Sequence, residues 1–138
     1  MENNKKSVLF ICTQNSCRSQ IAEAFLNSLY GTSYKAYSAG VEKTKVNPYA
    51  VEVMKEIGID MSNHYSKTVE EFKDETFDIV VTVCNTAKET CPFFPGNKII
   101  HKSFDDPSMV EGDIDDILTS FRKTREDIRK WIGVVFEK

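Results

Sequence analysis

The chain has 138 residues, 41% of them hydrophobic, and a formal net charge of -3, which suits a single domain over residues 1–138 built round one core. A sequence pI near 5.4 with no polybasic stripe excludes nucleic acid or an anionic membrane as the main partner. No apolar run approaches the roughly 20 residues of a membrane helix, and Met1-Glu2-Asn3-Asn4-Lys5-Lys6 is polar. The expectation is therefore a cytoplasmic protein whose four cysteines serve catalysis, redox chemistry or metal binding rather than a disulfide framework.

In chain order, Ser7–Ile11 reads as a buried strand and runs into Cys12-Thr13-Gln14-Asn15-Ser16-Cys17-Arg18-Ser19. From about Gln20, Ile21, Ala24, Phe25, Ser28 and Leu29 recur at helical spacing up to Gly31. Tyr34–Ser38 is a short strand. Asn47-Pro48 starts a helix with Ala50, Val51, Met54 and Ile57 on one face and Gly58 as its stop. Residues 61–67 read as a loop and Val69–Phe72 as a short helix. Phe77–Val83 is the clearest central strand, rich in β-branched residues and ending at Cys84. Pro92, Pro95 and Gly96 make 85–97 an irregular loop. Lys98–His101 is a strand, Asp105-Asp106-Pro107 a turn, and Ile114 to Phe136 a long helix with Ile117, Leu118, Phe121, Ile128 and Ile132 inward.

This alternation gives an α/β fold, a small doubly wound sandwich with a central four-stranded parallel sheet flanked by helices. Ligands of such sheets bind at the carboxyl ends of strands, where Cys12, Cys84 and Asp106 all fall.

The chemistry starts at Cys12. A thiol attacks as its thiolate, and a neighbouring arginine and a helix N-terminus both favour that form. The five residues between Cys12 and Arg18 are enough to wrap a loop whose backbone N–H groups face an anion while the guanidinium of Arg18 forks onto two of its oxygens. Ser19 is placed to donate to the Cys12 sulfur. Thr13, Gln14, Asn15, Ser16, Cys17, Arg18 and Ser19 are thus the candidate oxyanion binders, with Asn15 tolerating left-handed backbone angles. Cys84 and Cys91 bracket a loop, and three thiols within reach of one another can carry two electrons from a substrate. Zinc would need four thiolates in compact pairs, and Cys12 and Cys17 are already committed to the anion loop. Asp106 before Pro107 is by itself a turn residue, and Asp105 is equally near.

The segments Val8 to Ser19, Ser38-Ala39-Gly40, Val83-Cys84 to Cys91-Pro92 and Phe104-Asp105-Asp106-Pro107 together resemble the arsenate reductases built on the low-molecular-weight protein tyrosine phosphatase fold, particularly those recharged by thioredoxin. The resemblance covers nearly the whole chain. It implies a relay in which Cys12 attacks arsenate held by the loop and Arg18, Asp106 protonates the departing oxygen, Cys84 attacks Cys12 to release arsenite, and Cys91 takes the disulfide from Cys84. Cys12, Arg18, Cys84, Cys91 and Asp106 are then the catalytic set, and Cys12, Cys84 and Cys91 the redox-active cysteines. The implied partners are arsenate, with phosphate or sulfate competing, and thioredoxin, or else glutaredoxin with glutathione, the enzyme acting as a monomer.

Relatives hold a monovalent cation with an Asn, a Glu, a Ser and an Asp. Asn15, Glu23 and Ser38 match the first three, but Lys67 replaces the fourth, so a potassium ion is not required and no other cofactor is expected. His64 and His101 receive no role, and Tyr65, Phe93, Phe94 and Trp131 are read as packing residues, with Phe93 and Phe94 near a redox partner. Two alternatives stand: a low-molecular-weight phosphatase using Cys12, Arg18 and Asp106 alone, and a thiol protein that binds arsenite or a metal without turnover.

Overall fold

The computed structural model describes residues 5–85 and 93–137. β1 (Lys6–Ile11) lies between β2 (Tyr34–Ala39) and β3 (Ile79–Thr82), and β4 (Lys98–His101) pairs with β3, giving the order β2-β1-β3-β4. All three pairings are parallel, with Ile11 opposite both Ala39 and Thr82. Parallel strands covered on both faces read as continuous apolar runs, and Val8 through Ile11 are fully buried.

Successive residues of β1 point to opposite faces. Val8 and Phe10 join the larger core with Ile21 and Phe25 of α1 (Arg18–Tyr30), Val53 and Met54 of α2 (Pro48–Lys55), and Phe121, Ile128, Ile132 and Phe136 of α3 (Ile114–Phe136). Leu9 and Ile11 join a smaller cluster with Ala39, Phe77, Val80 and Phe94. The single-turn 3₁₀ helix Val69–Phe72 contributes Val69 and Phe72 there. Phe77 forms edge-on contacts with Tyr37, Phe72 and Phe94 at centroid distances of 5.6, 5.7 and 5.8 Å.

The expected elements form, with shifts at their ends. α1 starts at Arg18, ahead of Gln20, because the anion loop feeds straight into the helix. Ser28 and Leu29 keep helical spacing but are exposed, while Leu26 and Ala22 face the core. α2 stops at Lys55, and Gly58 takes φ +83° beyond its end, in the left-handed region that suits glycine. Phe77 lies ahead of β3 rather than in it, drawn into the aromatic cluster. Tyr65 and Phe93, expected to pack, are exposed, whereas Phe94 is buried and Trp131 stacks edge-on against Phe104 and Phe136. No helix among the described residues is long and apolar enough to cross a membrane.

Candidate active site

The site is assembled where β1 and β3 end. Cys12 N donates to Ala39 O at 3.2 Å, which holds the first residue of the loop to β2. The outer side of the loop is held by neighbouring segments. Val41 N donates to Thr13 O at 2.7 Å and Asn47 N to Ser16 O at 2.9 Å. Gln14 O accepts from Thr44 Oγ1 at 3.1 Å and Ser66 Oγ at 3.3 Å, and Asn15 O accepts from Gln20 Nε2 at 3.2 Å. A loop whose carbonyls are engaged on its outer side presents its N–H groups to the concave side, the form of an anion cradle. Asn15 makes the turn at φ 52°, the left-handed angle expected of it.

The concave side opens into a cavity of about 620 Å³ lined by Cys12, Thr13, Gln14, Ser16, Cys17 and Arg18, with Val41, Glu42, Asn85, Asp105, Asp106, Ser108 and Met109 opposite. Asn15 and Ser19 are fully buried behind this wall. They act on the nucleophile from behind rather than lining the pocket. Asn15 Nδ2 donates to Ser19 Oγ at 2.8 Å, and Ser19 Oγ lies 2.8 Å from Cys12 Sγ. Asn15 takes one acceptor position on the Ser19 oxygen, and once Cys12 is a thiolate, with no proton of its own, the Ser19 hydroxyl is the donor of the pair.

A chain of hydrogen bonds fixes Asn15 in turn. Its Oδ1 accepts from Lys67 N at 2.7 Å and Gln20 Nε2 at 2.9 Å. Gln20 Nε2 also donates to Tyr65 O at 2.9 Å, and Gln20 Oε1 lies 2.8 Å from His64 Nδ1. Because Gln20 Oε1 only accepts, His64 carries its proton on Nδ1. Burial holds the His64 pKa below its usual value, against the opposing pull of Glu23. Sequence reasoning gave His64 and Gln20 no role, since contacts 44 and 45 residues apart leave no periodic signal.

Glu23 accepts a short hydrogen bond from Ser38 Oγ, and Lys67 Nζ stands 3.9 Å from it. Asn15, Glu23 and Ser38 are therefore brought together as expected, but the acceptors of Asn15 are filled and an ammonium already faces Glu23. That donor set does not fit a potassium ion. Lys67 also donates to Tyr65 O at 2.8 Å and lies over the Tyr65 ring at 4.5 Å, while burial lowers its pKa.

Arg18, the first residue of α1, is buried and donates through Nη1 to Phe104 O at 3.1 Å. Its Nη2 lies 3.6 Å from Asp106 Oδ2. Asp106 Oδ1 accepts from Ser108 N and Oγ at 2.9 and 2.7 Å, so the residue both caps the 3₁₀ turn Pro107–Met109 and faces the cavity. Cys17 is buried, and its thiol pKa is pushed well up by that burial, then by the Asp106 carboxylate and Cys12, against the pull of Arg18. It is a neutral thiol 3.6 Å from Asp106 Oδ1, not a second nucleophile.

Cys84 is fully buried just past β3, its sulfur 3.8 Å from Ile11 O. It is disulfide-bonded, whereas Cys12 and Cys17 are free thiols. Cys91 lies outside the described residues. Among the described residues no group of three or more histidines, cysteines and acids is placed to hold a metal.

The family model described as low molecular weight phosphotyrosine protein phosphatase matches residues 7–135. An arsenate reductase of Halalkalibacterium halodurans is 45% identical over 135 residues, covering 97% of each chain. A solved structure described as an arsenate reductase in the phosphate binding state superposes with a TM-score of 0.79 at 30% identity, over 94% of this chain and 95% of that one. A thioredoxin-dependent arsenate reductase of Corynebacterium glutamicum superposes with a TM-score of 0.61 at 27% identity, over 97% of this chain and 65% of that one.

Proposed function

This chain belongs to the low molecular weight phosphotyrosine protein phosphatase family, and from that footing we propose that it is an arsenate reductase that carries two electrons through Cys12, Cys84 and Cys91 from thioredoxin. The observation that carries this reading is the placement and state of the cysteines, with Cys12 a free thiol on the wall of the cavity beside the anion loop and Cys84, just past the neighbouring strand, engaged in a disulfide.

The cycle starts from the reduced chain, the dithiol donor having opened the Cys84 disulfide; the Cys12 thiolate then attacks arsenic, forming an S–As bond as an As–O bond breaks. The leaving oxygen takes a proton from Asp106 and departs as water. Arg18 and the loop N–H groups hold the remaining oxygens. The Cys84 thiolate then attacks the Cys12 sulfur. The S–As electron pair stays with arsenic, which leaves as arsenite, and a Cys12–Cys84 disulfide remains. Attack by Cys91 on Cys84 frees Cys12, and a dithiol donor reduces the resulting disulfide.

The test is arsenate-dependent NADPH oxidation with thioredoxin and thioredoxin reductase, repeated with glutathione and glutaredoxin. Turnover with the first system is expected, and turnover with neither refutes the assignment. Turnover with glutaredoxin alone keeps the relay and changes the donor. Phosphatase chemistry is the second reading, favoured by the family and by the same Cys12, Arg18 and Asp106. A Cys84→Ser, Cys91→Ser variant separates them: it loses arsenate reduction entirely and keeps whatever phosphate-ester hydrolysis the loop supports.

A further inference from the structure

Asp105 and Asp106 are adjacent on one loop, yet their carboxylates are held from different directions. Asp106 faces Arg18 across 3.6 Å, whereas Asp105 Oδ1 accepts a 2.7 Å hydrogen bond from Asn85 Nδ2. Asn85 directly follows Cys84. Val83 N still donates to Ile11 O at 2.9 Å, so the chain stays beside the end of β1 just past the last residue of β3. The Asn85 side chain thus ties the exit of the redox strand to the loop that bears Asp106.

The same bond stands between two cavities. A second cavity of about 660 Å³ runs along α3, with Lys102, Phe104, Thr124 and Trp131 on its walls. It shares Asn85, Asp105 and Asp106 with the catalytic cavity. Phe104, just before the pair, is pinned by Arg18 at its carbonyl and by Trp131 at its ring, and the Asn85 contact adds a tie at the residue next to Asp106.

We propose that Asn85 is a positioning residue that, through Asp105, holds Asp106 over the oxyanion loop. The inference rests on the reading of Asp106 as the proton donor. A neutral amide suits the task, because it anchors one carboxylate without placing a further charge beside the other. The backbone of the cradle is held by contacts from Val41, Thr44, Asn47 and Ser66, so the effect falls on the loop that bears Asp106.

The experiment uses the pre-reduced full chain, arsenate as the probe and single-turnover arsenite formation without an external donor. Asn85→Ala is expected to slow the turnover by about three- to tenfold, the weight of one solvent-exposed hydrogen bond, with the half-saturating arsenate concentration unchanged. In an Asp106→Asn background the same substitution should cost less than about twofold, because two changes acting through one group do not add. Asn85→Asp alone should cost more than Asn85→Ala, and combining it with Asp105→Asn, which exchanges amide and carboxylate, should restore most of the rate. An equal loss from Asn85→Ala in both backgrounds overturns the inference and makes Asn85 a partner of Cys84 instead. An intact rate in Asn85→Ala beside a slow Asp106→Asn overturns it too. A harmless Asp106→Asn removes the acid role itself and the inference with it.

Discussion

Gly40→Ala probes how closely the oxyanion loop is gripped. A Cβ at Gly40 falls 2.7 Å from Asn15 N, 2.8 Å from Thr13 O and 2.9 Å from Cys12 O, all backbone atoms of the loop. Ordinary contact begins near 3.4 Å, so these atoms must retreat by 3.4 − 2.9 to 3.4 − 2.7, or 0.5 to 0.7 Å. Gly40 cannot give way itself, because its N–H donates to Lys67 O and its carbonyl accepts from Val69 N, each at 2.9 Å. The strain therefore falls on the cradle. Overpacking of this kind costs about 1–3 kcal/mol of stability. A displacement near 1 Å of groups that hold a reacting species costs up to about 10²-fold in rate, so a shift of 0.5 to 0.7 Å should slow arsenate-dependent turnover by about 10- to 25-fold. Urea unfolding followed by Trp131 fluorescence measures the first quantity and single-turnover arsenite formation the second. A Gly40→Ala variant with the parent's rate and urea midpoint would show that the backbone yields elsewhere and refute the reasoning.

Three further substitutions test the layers beneath. Ser19→Ala removes the hydroxyl aimed at Cys12 and strands Asn15 Nδ2, so alkylation of Cys12 by iodoacetamide at neutral pH should slow by about tenfold, the scale of one charge-assisted hydrogen bond; unchanged alkylation would remove Ser19 from the nucleophile's support. Phe77→Ala empties the middle of the aromatic cluster and should cost about 3–5 kcal/mol in urea unfolding, a loss below about 1 kcal/mol showing that Phe72 and Phe94 collapse into the gap. Glu56 ties α2 to α3, accepting from Arg122 at 2.7 Å and Arg125 at 2.9 Å, and the Arg122 hydrogen bond leads in lowering its pKa from 4.5 to about 2. The folded value lies below the unfolded one, so the unfolded chain binds the proton more readily and the contribution is present above 4.5 and lost as pH falls towards about 2. Glu56→Gln should accordingly unfold at lower urea than the parent at neutral pH, with the gap narrowing on acidification. A gap independent of pH would refute the pairing.

The fold was legible wherever burial leaves a simple pattern. Val8 through Ile11 announce a strand covered on both faces, and Phe121, Ile128 and Ile132 announce the inner face of α3. The element ends were not legible, because they depend on what lies alongside. Leu29 keeps the spacing of Phe25 but is 46% exposed, since α3 packs against α1 without covering that flank. Phe77 has the composition of a strand residue, yet the three rings round it hold it outside β3. Glu56 gave no signal at all, as its two arginines lie 66 and 69 residues away.

The site divides along the same line, between groups that touch the substrate and groups that hold them. Nucleophilic attack on an oxyanion admits few residue types, so Cys12 and Arg18 stood out from spacing and chemistry, whereas Asp106 was singled out from Asp105 only by the family resemblance, and the cavity brings all three together. The support does not have that economy, since any donor or acceptor of the right reach can serve it. Ser19 is held by the Asn15 amide, which is oriented by Gln20 and the Lys67 N–H, and the Gln20 amide is oriented in turn by Tyr65 O and Asn15 O. Each link removes one alternative from the next, because an amide with its oxygen committed has its NH₂ direction fixed as well. Reversing the Gln20 amide would bring its oxygen against Asn15 Oδ1, Asn15 O and Tyr65 O, all acceptors. The support of Cys12 thus depends on a chain of orientations that runs back to Gln20, a residue the sequence gave no reason to notice.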